Sequence, residues 1–187
     1  MIGWLTSGSG AARTVGMGEI AVARAKERLQ CIGLGSCLAI VALDAATGRV
    51  GLAHAVLPRP LEMNDGSSPA KYASLAVHAL AMAIRDEGGD MADVRVALIG
   101  GAQLLTGVAS RGSALPQLGE RNVEEARLQV RAFGFDLVAE DVGGSVGRTV
   151  TLNGETGVVT VRTTLGGTHT LCDLHDHGIG LELACAA

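Results

Sequence analysis

Apolar positions along this chain follow two periods. In several short stretches they run unbroken or alternate, as in strands; in two longer ones they recur every three to four residues, as in helices. Residues 38–43 are all apolar, and Ala45-Ala46-Thr47-Gly48 separates them from a second apolar run, 50–57, interrupted by one histidine, His54. This pattern predicts a β-hairpin. Residues 18–23 predict a short strand, and residues 29–33 lead into the hairpin. Residues 94–99 predict a buried strand running into Gly100-Gly101-Ala102, where backbone either comes close to a ligand or simply turns. Residues 135–142 predict a further strand. Residues 148–152 and 158–163 predict a second hairpin around Asn153-Gly154-Glu155-Thr156-Gly157. The first helix is expected from Ser68-Pro69, a cap followed by proline at the first helical position. Tyr72, Leu75, Ala76, Ala79, Leu80 and Ala83 form its buried stripe, His78 lies on its solvated side, and Gly88-Gly89 ends it. Asn122-Val123-Glu124-Glu125 reads as a capping box opening a second helix. Val123, Ala126, Val130 and Phe133 mark its buried side and Gly134 its end. The stretches between are a loose arm at 1–15, a charged connection at 24–28, a polar loop at 58–68, a Gly/Ser-rich loop at 106–118 and a turn at 143–148.

The first hairpin has a register that can be counted. With 45–48 as its loop, Asp44 faces Arg49, Ala39 faces His54 and Cys37 faces Val56. Side chains alternate between faces, so Cys37, Ala39, His54 and Val56 share one. Cys37 and His54 become diagonal neighbours, roughly 7–8 Å apart at the backbone, which two side chains can close. A loop one residue longer or shorter would put the histidine on the other face.

Composition narrows the setting. The chain has 187 residues, 48% hydrophobic but with only four aromatics, so its core is aliphatic and alanine-rich. The length suits one domain. A net charge of −4 without a basic block argues against nucleic acid as a main partner. No apolar run approaches the ~20 residues of a membrane helix, and no export signal is recognisable, so a cytoplasmic protein is expected. The four cysteines, Cys31, Cys37, Cys172 and Cys185, show no Cys-x-x-Cys spacing. They read as thiols rather than as a disulfide framework.

The candidate chemistry is nucleophilic. Cys37 follows Gly35-Ser36 at the mouth of a strand, where free N–H groups can face a reacting carbonyl. An imidazole at His54 can take the thiol proton or hold a thiolate–imidazolium pair. The thiolate then attacks an amide or ester carbon, and water resolves the thioester. The bland alternative is a buried cysteine acting as a small hydrophobe. In the tail, His169, Cys172, Asp173, His175, Asp176 and His177 are metal-donor types. No three of them fall at a recognised spacing, so a polar, mobile terminus is the simpler expectation.

These residues resemble the bacterial chemoreceptor glutamine deamidases, the CheD family. Leu34-Gly35-Ser36-Cys37 and a histidine seventeen residues on, in a His-x-x-Leu-Pro context, carry the resemblance. Gly16-Met17-Gly18-Glu19, Lys71-Tyr72-Ala73, Gly100-Gly101-Ala102, Gly119-Glu120-Arg121-Asn122-Val123, Asp141-Val142-Gly143-Gly144 and Gly147-Arg148 follow in order. The resemblance implies a compact single-domain α/β sandwich, mostly antiparallel, with two main helices. It places a flexible arm at 1–15, the deamidase domain at 16–167 and a tail of unknown role at 168–187. It implies a protein-glutamine glutaminase: a hydrolase of chemotactic signal transduction that converts receptor glutamines to glutamate and releases ammonia. Methylester hydrolysis is a related activity. Cys37 would be the nucleophile, His54 the base, and Gly35 and Ser36 the oxyanion and substrate-positioning turn. No cofactor or metal is implied. The partners would be the cytoplasmic helices of methyl-accepting chemoreceptors and a CheC-type phosphatase. The family's third catalytic member is a threonine six residues before the cysteine; here that position is Cys31. A thiol is the weaker hydrogen-bond partner, so orientation of the histidine passes to another group such as Gln30 or a backbone carbonyl, or activity is lower. An oxidative Cys31–Cys37 link is a further expectation. The competing reading is a binding module of the same shape that regulates a CheC-type phosphatase or a receptor array without chemistry. A third reading, a small-molecule cysteine hydrolase, would need a deep pocket that nothing in the sequence calls for.

Overall fold

A computed structural model describes residues 11–24, 26–62, 66–104 and 117–176. Its strands are β1 (Arg13–Thr14), β2 (Ile20–Val22), β3 (Arg28–Leu34), β4 (Leu38–Asp44), β5 (Arg49–Ala55), β6 (Val94–Gly100), β7 (Asp136–Val142), β8 (Arg148–Asn153), β9 (Val158–Thr163) and β10 (Thr168–Asp173). The helices are α1 (Ala73–Asp86) and α2 (Leu118–Ala132). The strands form two five-stranded sheets, β1-β3-β8-β9-β10 and β2-β5-β4-β6-β7. Pairing is antiparallel except for β1–β3 and β6–β7, the latter joined by the crossover helix α2.

Side-chain alternation sorts the core into two layers. Ala39, Val41, Leu43, Val50 and Leu52 face the other sheet and meet Leu29, Cys31, Val150, Leu152, Val159 and Val161. Leu38, Ile40, Ala42, Ala53 and Ala55 face the helices and meet Ala73, Ala76, Val77, Leu80, Val123, Ala126 and Val130. The middle sheet is therefore covered on both sides, and all seven residues of β4 and of β6 are buried. This accounts for the unbroken apolar runs there. β8, with one face toward solvent, alternates instead.

Three helix expectations are corrected. Ser68 does cap a turn, accepting from the Ala70 N–H, but Pro69–Lys71 is a separate 3-10 turn and Tyr72 is extended before α1 begins. The buried stripe is phased accordingly: Ala73, Ala76, Val77, Leu80, Ala81 and Ile84 are buried, while Leu75 is 41% exposed. The second helix starts five residues earlier than the capping-box reading, so Asn122 is inside it and fully buried rather than at its cap. Phe133, expected on the buried side, is 43% exposed and stacks on His78 at 5.0 Å. Both glycine stops hold. Gly88 and Gly134 take positive φ, and the next N–H returns to the carbonyl five residues back.

The ends also depart from expectation. Arg13–Thr14 pairs with β3, and Val15 is buried. Thr168–Asp173 extends the outer sheet beside β9, and the Leu174 carbonyl accepts from the buried Arg95 guanidinium. Residues 1–10, 106–116 and 177–187, parts of the arm, the loop and the tail, lie outside the described residues.

Candidate active site

The hairpin register is as counted. Asp44 pairs with Arg49, Ala39 with His54, and the ladder ends at Leu38–Ala55. Cys37 packs against the inter-sheet layer that holds Ala39 and Leu52, so the thiol and the imidazole belong to the same face. The expected Cys37–Val56 pair does not form. The Val56 N–H donates to the Lys71 carbonyl, and the Cys37 carbonyl accepts from Gly101.

The turn at Cys37 is held through three consecutive carbonyls. Gly35 O accepts from the Ala102 N–H at 2.7 Å, Ser36 O from the Asn122 carboxamide at 2.7 Å, and Cys37 O from the Gly101 N–H at 2.8 Å. With its carbonyls drawn into the protein, the turn keeps its N–H side free: among the described residues, neither the Ser36 nor the Cys37 N–H donates to a backbone carbonyl. Gly100 allows this approach. Its φ is +119°, and a Cβ there would lie 2.3 Å from the Cys37 oxygen. The paired glycines thus bring backbone up to the cysteine turn.

His54 is 5% exposed, and its Nδ1 lies 3.2 Å from the Val15 carbonyl. A carbonyl only accepts, so the proton sits on Nδ1 and Nε2 carries the lone pair. Nε2 is buried and has no hydrogen-bond partner. The orienting group is thus a backbone carbonyl from the residue after β1. Cys31, fully buried on β3, is not bonded to the ring, and burial with the nearby Cys37 pushes its thiol up to about 12. Gln30 donates to the Thr14 hydroxyl rather than to the ring. Val15 left no signal in the sequence because a carbonyl belongs to every residue type.

Burial sets the resting charge state. It lowers the His54 pKa from the ordinary 6.5, against smaller upward pulls from the Val15 carbonyl and the Glu19 carboxylate. It raises the Cys37 thiol above the ordinary 9.0, against a smaller downward pull from its own N–H. Both shifts favour the neutral thiol and the neutral imidazole over their charged forms.

A shallow cleft of about 450 Å³ lies beside the turn, lined by Ser36, Ala102, Gln103, Leu104, Leu118 and Gly119. A larger one of about 920 Å³ opens at the other end of the hairpin, by Gly48 and Arg49; neither cleft is lined by Cys37 or His54. Of the tail residues, His169 Nε2 lies 3.4 Å from Asp141 and Cys172 is half-buried on β10. Among the described residues no three His, Cys, Asp or Glu side chains converge as a metal site would require; His177 lies outside them.

The sequence comparisons with known proteins agree with one another. Residues 56–163 match the family model described as CheD chemotactic sensory transduction. A probable chemoreceptor glutamine deamidase CheD from Geobacillus kaustophilus is 38% identical over 150 residues, covering 80% of this chain and 90% of the relative. Proteins of the same description from Pyrococcus abyssi (36%, 82% and 92% covered) and Moorella thermoacetica (38%, 80% and 89% covered) are similar to the same extent. Among solved structures, the Bacillus licheniformis hypothetical protein YfiH aligns over 72% of this chain and 59% of its own, at 16% identity and a TM-score of 0.41.

Proposed function

The chain belongs to the CheD family, and from that premise we propose that it hydrolyses glutamine side-chain amides on chemoreceptors, with Cys37 as nucleophile and His54 as base. The observation that carries this reading is the state of the imidazole. Its Nδ1 proton is committed to the Val15 carbonyl, and the Nε2 lone pair is unpartnered on the face it shares with Cys37.

The steps follow from that state. His54 Nε2 removes the thiol proton as sulfur attacks the amide carbon. The carbonyl oxygen becomes an oxyanion against the N–H groups of the Gly35-Ser36-Cys37 turn, where each well-placed donor contributes about 3–4 kcal/mol. The imidazolium returns its proton to the amide nitrogen, the C–N bond breaks and ammonia leaves. Water then adds to the thioester, its proton passing to His54, and expels the Cys37 thiolate to leave glutamate. The cleft beside Ser36 opens to the surface, where a side chain presented by another protein can reach it. No helix of the described residues is long and apolar enough to cross a membrane.

A non-catalytic binding module is the second reading, and Cys31 in place of the family threonine is what favours it. It is weakened because the ring is oriented by a carbonyl that residue 31 does not supply. A chemoreceptor cytoplasmic fragment, incubated with purified protein and read by peptide mass spectrometry, separates the two. Conversion of specific glutamines to glutamate with ammonia release, lost in Cys37→Ala and His54→Ala, supports the enzyme. Receptor binding with no conversion supports the module. Added CheC-type phosphatase tests the remaining partner, with suppressed conversion as the expected result.

A further inference from the structure

Asn122 is an unusual residue for its place. Asparagine is a poor occupant of a helix interior, yet this one lies in the second turn of α2 and is 0% exposed. Both protons of its carboxamide are used, each on a different segment. Nδ2 donates to Ser36 O at 2.7 Å and to Val56 O at 3.1 Å. Ser36 precedes the nucleophile, and Val56 lies two residues after His54. The amide therefore joins the two catalytic segments at the point where the hairpin ladder has ended.

We propose that Asn122 is a positioning residue for the hydrolysis: its carboxamide replaces the missing rung between the Cys37 and His54 segments and so sets the sulfur against Nε2. The proposal rests on the functional reading above and adds a third side chain to it. The seat of the helix supports the assignment. Gly119 and Gly101 touch backbone to backbone, and a Cβ on Gly119 would lie 2.3 Å from the Gly101 oxygen. That contact fixes how far α2 stands from the turn. At that spacing a carboxamide on a single methylene spans to both carbonyls. Glutamine is a methylene too long, and aspartate would turn oxygen toward oxygen. The Asn122 Oδ1 is buried and unpartnered. The donor half of the amide is thus what the site uses, and the acceptor half is carried at a cost.

Two variants test it, with alkylation of Cys37 by iodoacetamide and deamidation of a receptor fragment as readouts. Asn122→Ala removes the clamp. The expected result in folded protein is a kcat about tenfold to hundredfold lower, as small misplacements produce, with KM nearly unchanged and an altered pH profile of Cys37 alkylation. Asn122→Asp keeps the shape but donates nothing while ionised. Once protonated it regains one donor, so its rate relative to native protein at the same pH should rise as pH falls. A filler of space would show no such recovery. Folded Asn122→Ala with native kcat, KM and alkylation profile overturns the proposal. If that variant does not fold, an Asn122→Asp rate ratio that stays flat with pH overturns it. Alkylation needs no receptor. Native protein that deamidates nothing, while the alkylation profile still depends on Asn122, would therefore remove the functional reading and leave the clamp standing.

Discussion

At the scale of the residue, burial favours the neutral thiol at Cys37 and the neutral imidazole at His54, and the pH behaviour of the proposed reaction follows. The base must be unprotonated, and burial lowers the His54 pKa, so the acid limb of kcat/KM should fall with a midpoint below 6.5. The same shift bears on stability. An unfolded chain takes up the His54 proton near the ordinary value while the folded chain resists it, so this contribution is full above that value and is lost as pH falls below it. Denaturant midpoints measured across that range check it. Cys31→Ser gives a second expectation. If the Val15 carbonyl orients the ring, the turnover of folded protein should stay within about threefold of native, while a new buried hydroxyl without a partner costs roughly 1–3 kcal/mol. Turnover and denaturant unfolding on one preparation report both. The register that pairs His54 with Ala39 is legible in the sequence because an antiparallel register depends only on loop length. Val15 is not, since its contribution is a backbone atom on a separate strand. Asn122 was misread because asparagine followed by glutamate three residues later imitates a cap.

At the scale of the element, the site depends on how closely three pieces of backbone meet: the turn at 35–37, the bend at 100–102 and the first turns of α2. Gly100→Ala is the direct probe. Its positive φ and the 2.3 Å approach to the Cys37 carbonyl leave no room for a methyl group. The expected cost is about 2–4 kcal/mol, together with lower kcat, read by equilibrium unfolding and steady-state kinetics. The strands and both helix stops were legible because their signals are local: alternation, apolar runs and a glycine at positive φ. Helix starts were less so. Tertiary contact of Gly119 with Gly101 sets where α2 begins, and no window of sequence contains that contact. The stripe of α1 slipped because Tyr72 was counted as helical, whereas it is the extended residue between two turns.

At the scale of the whole molecule, two sheets and a helical layer must hold a candidate site drawn from the end of β1, the turn before β4, β5 and α2. Arg148 ties the sheets at one edge. Its guanidinium meets Asp141 at 2.8 Å and also donates to the Gly143 and Val146 carbonyls. Gly143 in turn donates to Gly100 O, and the Gln103 N–H donates to Gly144 O. The pair is only partly open to solvent, so Arg148→Ala should cost about 2–3 kcal/mol, below the range for a fully buried pair, and denaturant unfolding would measure it. Layer order was not legible, because apolar periodicity says that a face is buried and not what buries it. On the proposed mechanism the arrangement serves one event, transfer of a receptor acyl group to sulfur. The most direct measurement is intact-mass analysis of acid-quenched mixtures of protein and receptor fragment. The account predicts a hydroxylamine-sensitive conjugate on Cys37 lighter than the sum of the two chains by one ammonia. Full glutamine conversion in Cys37→Ala, with no conjugate at any time in native protein, would contradict it.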